Sequence, residues 1–322
     1  MNIHPKQLKQ EAARLLADRT PDYRQTVTLH AAVSLGILFV LNLIHLLLGS
    51  AISDTGGLSD IGIRTALETA QSTLMTAANI ALPFWEAGIL YTAIRVARQQ
   101  ETKFSMLAQG FRRFGPLLRH MILWMAICIV VALLSMNVLS VFSIFLPVPA
   151  ALTEAFETID PTTITDPIQL YEQLPIEELM PFIIGISVVY ALISLTVILW
   201  LSYRFRFSQY LLTDETPVRA RAALALSNHL TRGHKKSLFM LDLSFWWYYL
   251  LQFAVAAIVY IPDILTLTGN PLPISGTVAN VVFYGLYCIA SLSLIWFAGA
   301  YVQTTNACAY TSIRDAALQT EN

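Results

Sequence analysis

The sequence predicts an all-α, polytopic membrane protein with six transmembrane helices, amphipathic interfacial helices on the cytoplasmic side, and both termini cytoplasmic. Three observations lead there. The 322 residues are 56% hydrophobic and 13% charged, against roughly 25% charged in an ordinary soluble protein, which is too few to furnish a soluble surface. Six stretches reach the ~20 apolar residues that a hydrocarbon core requires. Nineteen of the twenty Lys and Arg residues lie in four segments that alternate with those stretches, Arg64 being the exception.

Residues 1–28 carry Lys6, Lys9, Arg14, Arg19 and Arg24 beside Leu8, Ala12, Leu15 and Leu16 at helical spacing, which predicts an amphipathic cytoplasmic helix. The first span runs near Leu29 to Ala51. It exceeds the about 7 to 15 apolar residues of a signal peptide, so it is expected to be retained. A short outer connection holds Asp54, Asp60, Arg64 and Glu68, and the second span follows near Thr73 to Ile94.

The next basic segment, from Arg95 to Arg119, contains a stripe of Phe104, Leu107, Ala108, Phe111 and Phe114 with Lys103, Arg112 and Arg113 off it. The third span is placed near Leu117 to Leu139 and the fourth near Phe182 to Leu201. Between them, residues 147–181 hold seven acids and no base. A loop of that length suits the collection of cations or the covering of an outward opening.

Residues 203–237 form the third basic segment, with Arg204, Arg206, Arg219, Arg221, Arg232, Lys235 and Lys236. A helix is predicted from Thr216–Pro217 to Gly233, with Val218, Ala222, Leu226 and Leu230 as its apolar face. The fifth span is placed near Leu238 to Ile261 and the sixth near Val278 to Thr304, leaving 305–322 as a cytoplasmic tail. The spans make one transmembrane domain, 29–304, and the positive-inside rule puts the basic segments in the cytoplasm. The recurrence of amphipathic segment, outward span, outer connection and returning span suggests a threefold plan. Helices basic on one face and apolar on the other suit anionic lipid headgroups.

Several polar residues fall inside or beside the spans. Glu86 lies nine residues before Arg95, about 13 Å from the boundary and near the midplane, where a charge costs about 2.5–3.5 kcal/mol. Pro83 lacks an amide hydrogen and frees the carbonyl of Asn79, so Asn79, Pro83 and Glu86 on one face suggest a pocket for a proton, cation or amine. The structural alternative is a hydrogen bond from Glu86 to Asn42, His45 or Asn137. His45 suits a proton relay or a helix contact. Asp242, one turn inside the fifth span, is expected to pair with His234, Lys235 or Lys236. Arg204 and Arg206 are expected to reach lipid phosphate, with Lys235 nearby as part of a headgroup site. The block Trp246, Trp247, Tyr248 and Tyr249 reads as packing deep in the fifth span.

No nucleophile with its base and no phosphate or metal motif is present, so an enzyme is not expected, nor a cofactor, a metal or a nucleic-acid partner. The cysteines Cys128, Cys288 and Cys308 read as packing residues.

The stretch SNHLTRGHKKSLFMLDLSFWWYYLL, from Ser227 to Leu251, resembles the signature of a bacterial integral membrane family catalogued as domain of unknown function 975. The similarity rests on Ser227, Gly233, His234, Lys235, Leu238, Phe239, Leu243, Ser244, Phe245, Trp246 and Trp247. YRFRFSQYLLTDETP from Tyr203 and YVQTTNACAY from Tyr301 extend it over roughly the last 120 residues, while the amino-terminal half, with GFRRFG at Gly110, is similar in plan. The acidic loop reads as an insertion, and Ala307, Cys308 and Ala309 precede Tyr310 where that family often has a Phe-Tyr pair. The resemblance implies a multi-pass protein of the bacterial inner membrane and no particular activity. The residues themselves point to binding or movement of a small molecule, ion or lipid headgroup near Glu86. The competing expectation is a structural or accessory subunit that serves a membrane protein partner.

Overall fold

A computed structural model describes residues 4–17, 23–53, 58–143, 176–214, 218–270, 272 and 274–321. Every regular element among them is helical. Six helices are long and apolar enough to cross a bilayer: Tyr23–Ile44, Ser72–Ala97, Phe114–Val138, Met180–Arg204, Trp246–Leu267 and a last one within Gly276–Gln319. Each overlaps an expected span. Large apolar side chains such as Phe253, Leu134 and Leu192 stand exposed on them, as a chain dissolved in lipid requires. The acidic loop lies outside the described residues, apart from the helix start at Ile176.

Contacts divide the chain into two compact units. The smaller, residues 120–204, takes most of α5 (Phe114–Ser143) and α6 (Ile176–Arg204). The larger comprises residues 1–119 and 205–322. In it, α1 (Pro5–Ala17) precedes α2 (Tyr23–Ser53) and α3 (Leu58–Ala97). A 3-10 turn at Phe104–Ala108 and the short α4 (Gln109–Arg112) follow. After the smaller unit come α7 (Ser208–Thr213), α8 (Ala220–Thr231) and α9 (Lys235–Leu243).

The fifth span begins later than expected. α9 stops at Leu243, and α10 (Trp246–Ala257) starts after a break at Ser244 and Phe245. A 3-10 turn at Ile258–Tyr260 and α11 (Ile261–Leu267) complete the crossing. At the break, the Ser244 hydroxyl donates to the Leu241 carbonyl, a side-chain bond that competes with continuing helix. The Ser244 carbonyl is taken by Lys9 Nζ at 2.8 Å, and that ammonium sits 3.9 Å from the centroid of the Phe245 ring. Burial lowers the Lys9 pKa. The aromatic block is therefore the first turn of the span, not its depth. Trp246, Trp247 and Tyr249 are exposed there, where an interfacial aromatic belt belongs, while Tyr248 turns inward and is buried.

The sixth span, α12 (Gly276–Leu294), runs through a π-helical turn at Ile295–Gly299 into α13 (Ala300–Glu321). The expected tail is thus helical, and Thr304, Thr305, Ala307, Cys308, Ala309 and Tyr310 are buried. α3 is central in this unit, packing on α2, α13, α7 and the 3-10 turn with α4. Two glycines permit the closest of these approaches. A Cβ on Gly88 would run into the Leu107 carbonyl, and one on Gly110 would run into the Phe84 carbonyl.

The amphipathic segments are rotated or divided relative to expectation. Leu8, Ala12, Leu15 and Leu16 of α1 are buried as read, but α1 packs on α13 and α9, which removes that face from lipid. Of the second stripe only Leu107 is buried, and Phe104, Phe111 and Phe114 are exposed. α8 buries Ala220, Ala223, Ser227, Leu230 and Thr231; Leu230 of the expected face is buried, but Ala222 and Leu226 are exposed, because the helix turns Ser227 toward the Phe207 amide. Gly233 follows α8 at φ 85, a left-handed position where glycine carries no Cβ penalty.

Candidate functional site

α3 passes through Pro83 without ending and carries Glu86 to the edge of a cleft of about 370 Å³. All of its lining belongs to the larger unit. α2 contributes His30 and Ser34, α10 contributes Tyr248 and Gln252, and α7 contributes Gln209. Ile295 and Gly299 of the π turn and Gln303 of α13 close it. Val27, Leu35, Ile89 and Leu90 supply apolar wall. Glu86, Gln209 and Gln252 are exposed at its rim, whereas His30 and Tyr248 are buried. The cleft draws on the first turns of α2 and α10 and the last turns of α3, so it lies toward the basic end of the bundle. Glu86 stays near the middle of the Ser72–Ala97 span, as the spacing from Arg95 had suggested, but it is not isolated there.

The wall beside Glu86 is a reciprocal clamp. The rings of His30 and Trp85 stack at 5.3 Å with planes 5° apart. His30 Nε2 donates to the Trp85 carbonyl at 3.1 Å, and Trp85 Nε1 donates to the His30 carbonyl at 3.1 Å. Ser34 Oγ also donates to the His30 carbonyl, at 3.0 Å. Gln252 Nε2 donates to Tyr248 Oη at 3.1 Å. Glu86 itself makes no hydrogen bond or ion pair among the described residues. The buried Gln303 Oε1 also lacks a partner there.

Of the partners that the structural alternative offers Glu86, Asn42 and Asn137 bond within their own helices among the described residues. Asn42 Nδ2 donates to the Leu38 carbonyl at 3.2 Å and Asn137 Nδ2 to the Leu133 carbonyl at 2.7 Å. The side chain of His45 lies outside the described residues. Asn79 is exposed and does not line the cleft; it sits two turns from Glu86, beyond the reach of a pocket built around the helix ends.

The remaining sequence candidates lie at the basic end. Arg206 binds both carboxylate oxygens of Asp242 and also donates to Asn306 Oδ1 at 2.9 Å. This bears on two expectations. Arg206 is held by protein, and Asp242, on α9 ahead of the break, takes Arg206 as a partner that the sequence had not put forward. Arg204 lies over the Trp200 ring at 5.4 Å. His234 precedes α9 and Lys235 opens it; burial lowers the His234 pKa.

Sequence reasoning missed a second polar cluster. Asp214, 1% exposed, accepts two bonds from Arg98, one from Tyr310 at 2.8 Å, and pairs with Arg314. Nearby Tyr210 is buried, and burial raises its pKa to about 12. Phe207 N–H donates to Ser227 Oγ at 3.1 Å. His30 was missed as well, although a second histidine in an apolar run was the available signal.

A helical bundle with six bilayer-length apolar segments and a polar cleft among them is a multi-pass membrane protein. The chain belongs to the DUF975 family of proteins of unknown function, whose family model matches residues 23–317. No curated protein and no solved structure matches it. The three stretches that carried the resemblance meet at the basic end: Arg206, Asp242 and Asn306 come one from each, as do Phe207 with Ser227 and Asp214 with Tyr310 from two.

Proposed function

We propose that this protein binds a small molecule in the cleft beside Glu86, without catalysing a reaction on it. The supporting observation is that Glu86 carries a carboxylate within a bilayer-crossing helix and, among the described residues, has no protein partner. A charge in that setting costs free energy unless water or a ligand meets it. The volume, at the low end of the roughly 300–1,000 Å³ typical of ligand clefts, and the mixture of apolar wall with a few convergent polar groups fit the same reading.

The setting we infer is the cytoplasmic membrane of a bacterium, with the basic end facing the cytoplasm. The cleft would then be reached from the cytoplasmic side or from the adjoining leaflet. A structural or accessory role remains the competing reading, and the buried polar cluster around Asp214 is the feature that favours it.

The test is purification in native lipid followed by mass spectrometry of what accompanies the protein. Wild type is expected to carry a small molecule that Ser34→Phe, which fills the cleft, has lost while retaining its helical circular dichroism. Identical small-molecule content in the two proteins would sink the reading. A stoichiometric protein partner with an unaltered small-molecule profile would establish the accessory role instead.

A further inference from the structure

We infer that the cleft takes a small organic cation, a primary ammonium or a guanidinium on an apolar body. The inference rests on the ligand-binding reading above and adds the chemistry of the ligand. Charge is the first ground. Glu86 is the one acid in the lining, and no lysine or arginine lines the cleft among the described residues. The nearby cations are committed elsewhere: Arg206 to Asp242 and Asn306, and Arg98 and Arg314 to Asp214. An anion placed in the cleft would meet a carboxylate and neither a lysine nor an arginine.

Hydrogen-bonding capacity is the second ground, and it is independent of charge. Three donors in the lining already serve protein acceptors: His30 Nε2 serves the Trp85 carbonyl, Ser34 Oγ the His30 carbonyl, and Gln252 Nε2 the Tyr248 hydroxyl. The uncommitted groups include two acceptors, the Glu86 carboxylate and the buried Gln303 Oε1. A buried acceptor without a donor is costly. A ligand with several N–H groups would serve both, whereas an ether, a ketone or a carboxylate would serve neither. Charge-assisted bonds to the Glu86 carboxylate are the stronger kind.

Shape is the third ground. The cleft is far larger than a bare ion needs, and its walls at Val27, Leu35, Ile89 and Leu90 are hydrocarbon. That arrangement suits a short alkyl or aryl body beside the charged head.

The experiment uses the full chain in phosphatidylcholine nanodiscs, a zwitterionic surface that does not concentrate cations. Four probes with short alkyl chains are titrated calorimetrically: butylammonium, butylguanidinium, butanol and butyrate. The two cations are expected to bind roughly 10- to 100-fold more tightly than butanol, and butyrate no better than butanol. Glu86→Gln should abolish the preference for the cations over butanol. Gln303→Leu should weaken butylammonium and spare butanol, which checks the second acceptor with a variant that alters no charge.

Equal binding of cation and alcohol, tighter binding of butyrate, or a cation preference that persists in Glu86→Gln would each overturn the inference. The first two of those results would leave a functioning cleft of different specificity. Absence of binding by all four probes also overturns it, and the comparison of wild type with Ser34→Phe then decides separately whether the cleft holds any ligand.

Discussion

Arg98 and Asp214, 116 residues apart in sequence, face each other in a two-pronged ion pair, with Nη1 2.6 Å from Oδ1 and Nη2 2.7 Å from Oδ2. Arg98 follows the end of α3 and Asp214 follows α7, so the pair ties the second span to the segment after the fourth. Tyr310 and Arg314 of α13 close on the same carboxylate. One acid thus serves three helices.

Asp214→Ala leaves two guanidinium groups and a buried hydroxyl facing a vacated site. Breaking a buried pair by removing one partner costs about 3–5 kcal/mol. A loss of that size is expected in denaturant titrations of the purified protein in lipid. A loss under about 1 kcal/mol would mean that the cluster is solvated and holds little together.

Arg206 and Asp242 should prove coupled. A double-mutant cycle of Arg206→Ala and Asp242→Ala is expected to give an interaction of about 1–3 kcal/mol. The value should be the same in zwitterionic and in anionic lipid, since Arg206 is held by protein. A strong dependence on anionic lipid would restore the headgroup contact expected from the sequence.

Lys9 caps the carbonyl that the break at Ser244 exposes. Lys9→Met keeps the apolar stem and removes the donor, at an expected cost of about 1–2 kcal/mol. Because α1 is anchored to α9 through this bond, proteolysis between α1 and α2 should accelerate. Unaltered cleavage would show that the buried face of Leu8, Ala12, Leu15 and Leu16 suffices.

Orientation has its own check. A cysteine replacing Thr165, in the acidic loop, is expected to react with a membrane-impermeant maleimide in intact cells. Reaction only after lysis would invert the topology drawn from the basic segments.

The number of spans was legible because it depends on composition and run length, which lipid imposes directly. The break in the fifth was not. LSFWWYYLL reads as an apolar run interrupted only by Ser244, and neither the return of that hydroxyl to the Leu241 carbonyl nor the arrival of Lys9, 235 residues earlier, shows in the pattern. The same holds for the site. Glu86 stood out as a lone carboxylate in an apolar helix, but its companions Gln209, Gln252 and Gln303 sit on three other elements, and no spacing links them to it. Asp214 was hidden because an acid among the charges of a basic segment looks ordinary until three helices are seen to converge on it. Asn79 was favoured by its position on one helix face, a periodicity that says nothing of where a pocket ends.

The glycine contacts of α3 bear on all of this. At Gly88 and at Gly110 the backbone of one segment rests against a carbonyl of the other, and the two contacts are reciprocal. A helix held at two such points can neither slide along its axis nor turn by a residue without steric collision, since one residue amounts to about 100° of rotation. Glu86 lies between Phe84 and Gly88, the two α3 positions in this lock. Its angular setting is accordingly a matter of mechanical indexing, to which two missing methyl groups contribute.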